Sequence, residues 1–284
     1  MSSIKTRKSA NKGPEAIAPL VSGELRLHEL RSRIFRNARL LRVWLPPDYD
    51  SSIRYPVLYL NDGQNLFEPA TAFAGVDWRV GEAARRLIAA GKIPSLIIVG
   101  IDNTGKNRGR EYIPYRSLDP RLFGPQGKRY PEFLVQEVMP LIAQNYSLAK
   151  GPEHTGLGGS SLGGLITLYT QIASPGVFGR LLIESPSLFV SGRRVLQDSR
   201  QVRDWPFRIY VGIGTREIGN PAKDEKTVAD VRELESILKS AGLGKERLLV
   251  NVEEGATHNE AAWAARFPDA LEFLYRSQDK VPAT

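Results

Sequence analysis

From Arg39 onward, short apolar runs alternate with stretches whose apolar residues recur at helical spacing. This alternation leaves few folds open. "ARLLRVWLP" and "YPVLYLND" read as strands separated by a turn from Pro46 to Ser52. "VDWRVGEAARRLIAAG" reads as a helix stopped at Gly91, and "PSLIIVGIDN" as a strand buried on both faces. "YPEFLVQEVMPLIAQNY" is helical with a kink or break at Pro140. A short strand and turn at 154–161 lead into the helix "LGGLITLYTQIAS". Three further strands follow, "RLLIESPS", "FRIYVGIGT" and "RLLVNVEEG". The helix "TVADVRELESILKSAG" lies between the last two, and "NEAAWAARFPDALEFLYRS" closes the chain. Consecutive parallel strands need a crossover, and a helix supplies it, so the pattern predicts an α/β fold: a mostly parallel central sheet with helices on both faces. "LRLHELRS" at 25–32 has only a short connection to the next strand and predicts an antiparallel start.

The chain has 284 residues, enough for one large core, and 42% hydrophobic with 25% charged residues are globular values. Lys5, Arg7, Lys8 and Lys12 all precede the first acid, Glu15. Residues 1–22 therefore read as a flexible basic tail, and 23–279 as a single domain. The remaining excess in the formal charge of +8 is modest and fits a solvated surface, not a nucleic-acid partner. No cysteine is present, which excludes disulfides, thiolate metal sites and a cysteine nucleophile. No apolar run approaches a membrane span, and "AIAPLV", broken by Pro19, is too short for a signal-peptide core. The expectation is a cytoplasmic protein, although exported proteins can also lack cysteine.

Two adjacent serines sit in the stretch "GLGGSSLGG". A serine nucleophile at a strand-to-helix turn needs small residues two before and two after it, where strand and helix crowd. Ser160 has Leu162 two after it; Ser161 has Gly159 before and Gly163 after, so only Ser161 fits. A plain glycine turn is the alternative. A Walker loop is not, because no lysine lies between Gly151 and Ser191. An oxygen nucleophile needs a base, and the base an orienting carboxylate. Of the three histidines only His258 follows Ser161, in a loop between the last strand and the last helix. Glu217, just beyond the next-to-last strand, is the favoured acid; Glu184, Asp224, Asp230 and a Ser-His dyad are the alternatives. For the oxyanion, the main-chain N–H of Leu162 and, from the loop "YLNDGQNLF", that of Gln64 are the candidates, against a plain Asp-Gly turn. Trp78, Tyr112, Tyr115, Leu188 and Phe189 follow strands whose ends surround the site, and together they predict a short, partly aromatic cleft. The long loops at 103–129 and 186–205 are further places for substrate contacts.

Several stretches, in order, resemble one family: "YPVLYLNDGQNLF", "IIVGIDNTGKNRGREYIP", "GLGGSSLGGL", "ESPSLF", "VGIGTRE" and "GATHNEAAW". They resemble the esterase family of α/β-hydrolases that holds enterochelin, feruloyl and acetyl-xylan esterases, S-formylglutathione hydrolase and mycolyl transferases. The resemblance spans residues ~30 to ~278. It implies an α/β-hydrolase fold, a serine esterase acting on a small-molecule or sugar ester, and neither metal nor cofactor. Ser161 and His258 match the nucleophile and base; Glu217 stands where feruloyl esterases often carry Asp. Arg108, Glu111 and Tyr112 match a stretch near the substrate cleft, where a salt bridge shaping the loop is expected. The chain departs from S-formylglutathione hydrolase, which tends to have histidine and methionine where Ser160 and Leu162 stand. An acyltransferase and a non-catalytic binding module are the competing functions on this scaffold.

Overall fold

The computed structural model describes residues 23–116 and 124–276. The expected tail at 1–22, part of the loop at 103–129 and the last residues of the expected domain lie outside them. Eight strands form one sheet: β1 (Glu24–Ser32), β2 (Asn37–Leu45), β3 (Val57–Asn61), β4 (Ile97–Ile101), β5 (Thr155–Ser160), β6 (Arg180–Glu184), β7 (Arg208–Arg216) and β8 (Leu248–Thr257). Their order is β1-β2-β4-β3-β5-β6-β7-β8. β1 and β2 pair antiparallel from Glu24↔Leu45 to Ser32↔Asn37, β2 pairs antiparallel with β4, and the remaining pairs are parallel. This is the α/β-hydrolase arrangement, with the antiparallel start that the short connection predicts.

Side chains alternate across the central strands, as the pleat requires. Val57 and Tyr59 of β3 enter one core, Leu58 and Leu60 the other. The first core is covered by α2 (Arg108–Tyr112), by the helical run Tyr130–Asn145 with α3 (Tyr130–Phe133) and α4 (Met139–Asn145), and by α5 (Leu162–Ala173), α6 (Val190–Ser199) and α7 (Pro221–Ser240). The second is covered by α1 (Val80–Ala89) and α8 (Glu260–Tyr275). Each buried Leu, Ile or Phe contributes roughly 1.5–3 kcal/mol of transfer free energy, so both layers are needed to hold the sheet. Among the described residues no helix is long and apolar enough to cross a membrane.

Three local expectations change. The run Tyr130–Asn145 does not break at Pro140: a wide π-turn over Leu134–Val138, closed by Met139 N–H donating to Leu134 O, precedes it, and Pro140 falls in the first turn of Met139–Asn145, where its missing N–H is tolerated. α7 begins at Pro221, six residues before the expected Thr227, because Asn220 caps it by accepting from Lys223 N–H and Pro221 fills the first turn. The stretch expected as a long loop after β6 contains α6. Its start is obscured in sequence by Ser191, Gly192 and Arg193, which adopt left-handed conformations, so the helical period begins only after them.

Candidate active site

The carboxyl ends of β3, β5, β6, β7 and β8 deliver the candidate residues to one rim of the sheet. Ser161 stands between β5 and α5 with φ 58° and ψ −122°, a conformation that L residues rarely adopt. The main chain holds it there. Its N–H donates to Glu184 O (2.9 Å), and its carbonyl accepts from Leu165 N–H and Ser187 N–H (both 3.1 Å). The flanking glycines have steric causes. A Cβ on Gly159 would lie 2.9 Å from Asn61 Cβ and 3.0 Å from Gly163 C, and one on Gly163 would lie 3.1 Å from the Asp62 carboxylate. Ser160 is the buried last residue of β5. The Ser161 hydroxyl lies 3.4 Å from that of Ser187.

His258 is carried between β8 and α8, next to Asn259, whose side chain accepts from Ala262 N–H and caps α8. Its Nδ1 is 2.5 Å from Glu217 Oε2. A register shift between Gly214 and Arg216 precedes the last β7–β8 pair, Arg216↔Thr257, and Glu217 follows it. The other carboxylate oxygen, Oε1, accepts from Gly214 N–H (2.6 Å) and Ser185 Oγ (2.8 Å). Burial pushes the Glu217 carboxyl upward, but the hydrogen bonds from His258, Gly214 and Ser185 outweigh it and hold the group below the usual carboxylate range. The Trp263 ring meets the imidazole edge-to-face at 5.0 Å. Glu184, the other strand-end glutamate, is fully buried and pairs with Arg266 (2.9 Å), away from His258. Asp224 accepts from Ile218 N–H, and Asp230, on α7, pairs with Arg193 of α6.

Leu162 opens α5, so its N–H has no acceptor within the helix. Gln64 lies in the single 3-10 turn Gly63–Asn65, whose hydrogen bonds run from Asn65 N–H to Asp62 O and from Leu66 N–H to Gly63 O, leaving the Gln64 N–H outside them. Gly63 is needed because a Cβ there would lie 2.6 Å from Gly100 C. Ser161, His258 and Gln64 share a cleft of about 570 Å³ with Asp62, Asn103, Arg108, Glu260, Phe73 and Trp263.

The side chains expected to face substrate do not all reach the cleft. Trp78 is buried against Trp263 and Phe267 in the second core. Tyr112 is fully buried against Tyr130, and its phenol oxygen accepts from Asp62 N–H. Tyr115 donates to Asp198, outside the cleft, and Leu188 is buried. Of the residues named for contact, Arg108 reaches the cleft. It forks onto both oxygens of Asp62 (2.7 and 2.8 Å), a partner outside the 108–112 stretch that the resemblance marks. Glu111 pairs instead with buried Arg39 (2.8 Å). The aromatic rings that do line the cleft are Phe73, 72% exposed, and Trp263, 5% exposed. Sequence reasoning passed over Asp62, Asn103 and Glu260. Asp62 stands at φ 60°, and its "NDG" setting looks like any turn; only the fold turns it toward Arg108 and Asn103. Among the described residues no group of three or more His, Cys, Asp or Glu side chains is gathered as a metal ion would need.

The sequence model of the family described as "Putative esterase" matches residues 32–274. The chain is 26% identical over 261 residues to the "Uncharacterized protein YbbA" of Bacillus subtilis, covering 90% of this chain and 97% of that one. It is 28% identical over 243 residues to an "Endo-1,4-beta-xylanase/feruloyl esterase" of Xylanibacter ruminicola, covering 82% of this chain and 29% of that one. Among solved structures, an IroE-like serine hydrolase from Shewanella oneidensis superposes with a TM-score of 0.70 at 22% identity, over 89% of this chain and 80% of that one.

Proposed function

Because this chain belongs to the esterase family and is a hydrolase acting on esters, we propose that it is a serine esterase with Ser161 as nucleophile, His258 as base and Glu217 as the acid that orients it. One observation carries the reading. His258 Nδ1 meets a carboxylate whose second oxygen is already engaged, in the cleft that also holds the strained Ser161. With Nδ1–H donated to Glu217, the lone pair of the imidazole sits on Nε2. The resting contact of Ser161 Oγ with Ser187 is long, so little is lost when the hydroxyl turns to the imidazole.

Ser161 Oγ attacks the ester carbonyl carbon while its proton passes to Nε2. The carbonyl oxygen becomes an oxyanion and accepts from the Leu162 and Gln64 N–H groups, with the positive end of α5 behind it. Collapse breaks the bond to the alcohol oxygen, and the departing alcohol takes the proton from His258. Water, deprotonated by the same imidazole, then attacks the acyl-enzyme, and the acid leaves as Ser161 is reprotonated. Glu217 stays ionised throughout, which its lowered pKa supports. Loss of one oxyanion donor costs on the order of 3 kcal/mol of transition-state binding.

The substrate is a small-molecule ester of a short or aromatic acid. Polar side chains around one exposed phenyl ring, in a cleft of about 570 Å³, favour this over a long acyl chain, and the feruloyl esterase in the name of one relative agrees with it. Two measurements test the reading. Ser161→Ala abolishes hydrolysis of p-nitrophenyl acetate and labelling by a fluorophosphonate, while Ser160→Ala keeps both; labelling that survives in Ser161→Ala names the wrong serine. Across p-nitrophenyl esters, kcat/KM falls from acetate to palmitate; a steady rise overturns the substrate assignment.

A further inference from the structure

We propose that Ser185 is a positioning residue that fixes the orientation of Glu217, and through it the tautomer of His258; this rests on the reading of Glu217 as the acid of the site. Ser185 follows β6, is 3% exposed and lies outside the cleft lining, so it acts through another residue and not on substrate. Three elements meet at its hydroxyl. Trp263 Nε1 of α8 donates to Oγ (2.9 Å), Arg266 Nη2 of the same helix lies at 3.5 Å, and Oγ donates to Glu217 Oε1 beyond β7 (2.8 Å).

The chemistry of the partners fixes the direction of the chain. An indole N–H and a guanidinium can only donate, and an ionised carboxylate can only accept. The Ser185 proton therefore has one acceptor, Glu217. Gly214 N–H takes the same oxygen, and Oε2 is left to His258 Nδ1–H. The imidazole is held in the tautomer whose Nε2 is free to accept a proton. Trp263 acts twice, because its ring also meets the imidazole edge-to-face at 5.0 Å.

The backbone is a second observation. Ser185 has φ 38°, a costly angle for a residue other than glycine, and its N–H is tied to Gly212 O (2.8 Å). Glycine would sit there without strain. A serine held against that preference is retained for its hydroxyl. Glu184 is not an acceptor for the Ser185 hydroxyl; it holds Arg266, whose own contact with Ser185 Oγ is long (3.5 Å).

The test is a mutant cycle with three readouts: kcat, KM and the low-field NMR resonance of the His258 Nδ1 proton. Ser185→Gly removes the hydroxyl and relieves the backbone; Trp263→Phe keeps a ring and removes the N–H. Ser185→Gly is expected to lower kcat ~10–100-fold with KM within ~3-fold, and to broaden or abolish the low-field resonance. Trp263→Phe lowers kcat less, and the double variant is no worse than Ser185→Gly, since both cut one chain. A folded Ser185→Gly with wild-type kcat and an unmoved resonance overturns the inference, as do effects that multiply in full. If Ser185→Gly does not fold, Trp263→Phe decides: an unmoved kcat and resonance overturn it, and a fall in both supports it. Glu217→Gln separates the two readings. If that variant retains full kcat, the acid assignment itself is wrong; if it is inactive while Ser185→Gly is not impaired, only the role of Ser185 falls.

Discussion

Two glutamates end adjacent parallel strands, and the protein treats them in opposite ways. Glu184 closes β6 in register with Gly212 of β7, and Glu217 lies just beyond β7. Both are buried, and burial is the largest influence on each. Around Glu217 it loses to three hydrogen-bond donors. Around Glu184 it wins. Arg266 faces that carboxylate and lowers its pKa, but Oε1 has no hydrogen-bond partner among the described residues, Glu217 and Glu253 add repulsion, and the group is pushed up to about 7. Saturation of both oxygens, and not the presence of a cation, separates the carboxylate that stays charged from the one that resists it. The first can serve an imidazolium; the second ties α8 to the sheet.

The comparison breaks first on activity. Glu217→Gln is expected to lower kcat on p-nitrophenyl acetate by roughly 10³-fold or more, about 4 kcal/mol, because the imidazolium loses its counter-charge. Glu184→Gln is expected to stay within ~10-fold, since it touches neither the imidazole nor the cleft. The reverse pattern would move the acid to β6.

Stability against pH sharpens it next. Glu184 binds its proton more tightly folded than unfolded, so its contribution is full below the ordinary carboxylate pKa and is lost as pH rises to about 7. That loss is on the order of 3 kcal/mol, and it is expected as a fall in the urea midpoint across this window that Glu184→Gln removes. Glu217 has the opposite sign. Its pKa is lowered, so its contribution is present above the ordinary carboxylate range and lost as the medium becomes more acidic. A wild-type midpoint that rises between pH 5 and 7 would mean that Arg266 keeps Glu184 charged.

The smallest effect belongs to a third carboxylate. Glu253 shares Arg266 (2.7 Å) but its side chain is 41% exposed. Water already stabilises that charge, so Glu253→Gln is expected to change stability by less than ~1 kcal/mol and kcat not at all. A larger loss would mean that the Arg266 network, and not burial, sets the behaviour of Glu184.

Much of this was legible from residue order. Gly159 and Gly163 around Ser161 point to a turn, and a single histidine follows it. The pair Ser161 and His258 and the strand-end position of Glu217 could be read without coordinates, because the strands alternate with helices and the rim residues follow the strand ends. The aromatics could not be read so well. Trp78, Tyr112 and Tyr115 sit in the right loops, but a loop residue can point into the core or into the cleft, and no period marks which. Burial of the ring decided it, and Phe73 was left exposed instead.

What the sequence alone determined is local and periodic: the strand–helix alternation, the antiparallel start, the turn at Ser161 and the chain order of Ser161, Glu217 and His258. Those follow from spacing along one chain, where sterics and apolar periodicity act over a few residues. The tertiary structure decided what depends on residues far apart: that Glu217 and not Glu184 meets His258, that Ser185 receives Trp263 across 78 positions, and that Asp62 is clasped by Arg108 across 46. A carboxylate has the same chemistry wherever it stands in the sequence. Its role is set by which donors the packed sheet and helices bring to its oxygens and by how much water they exclude.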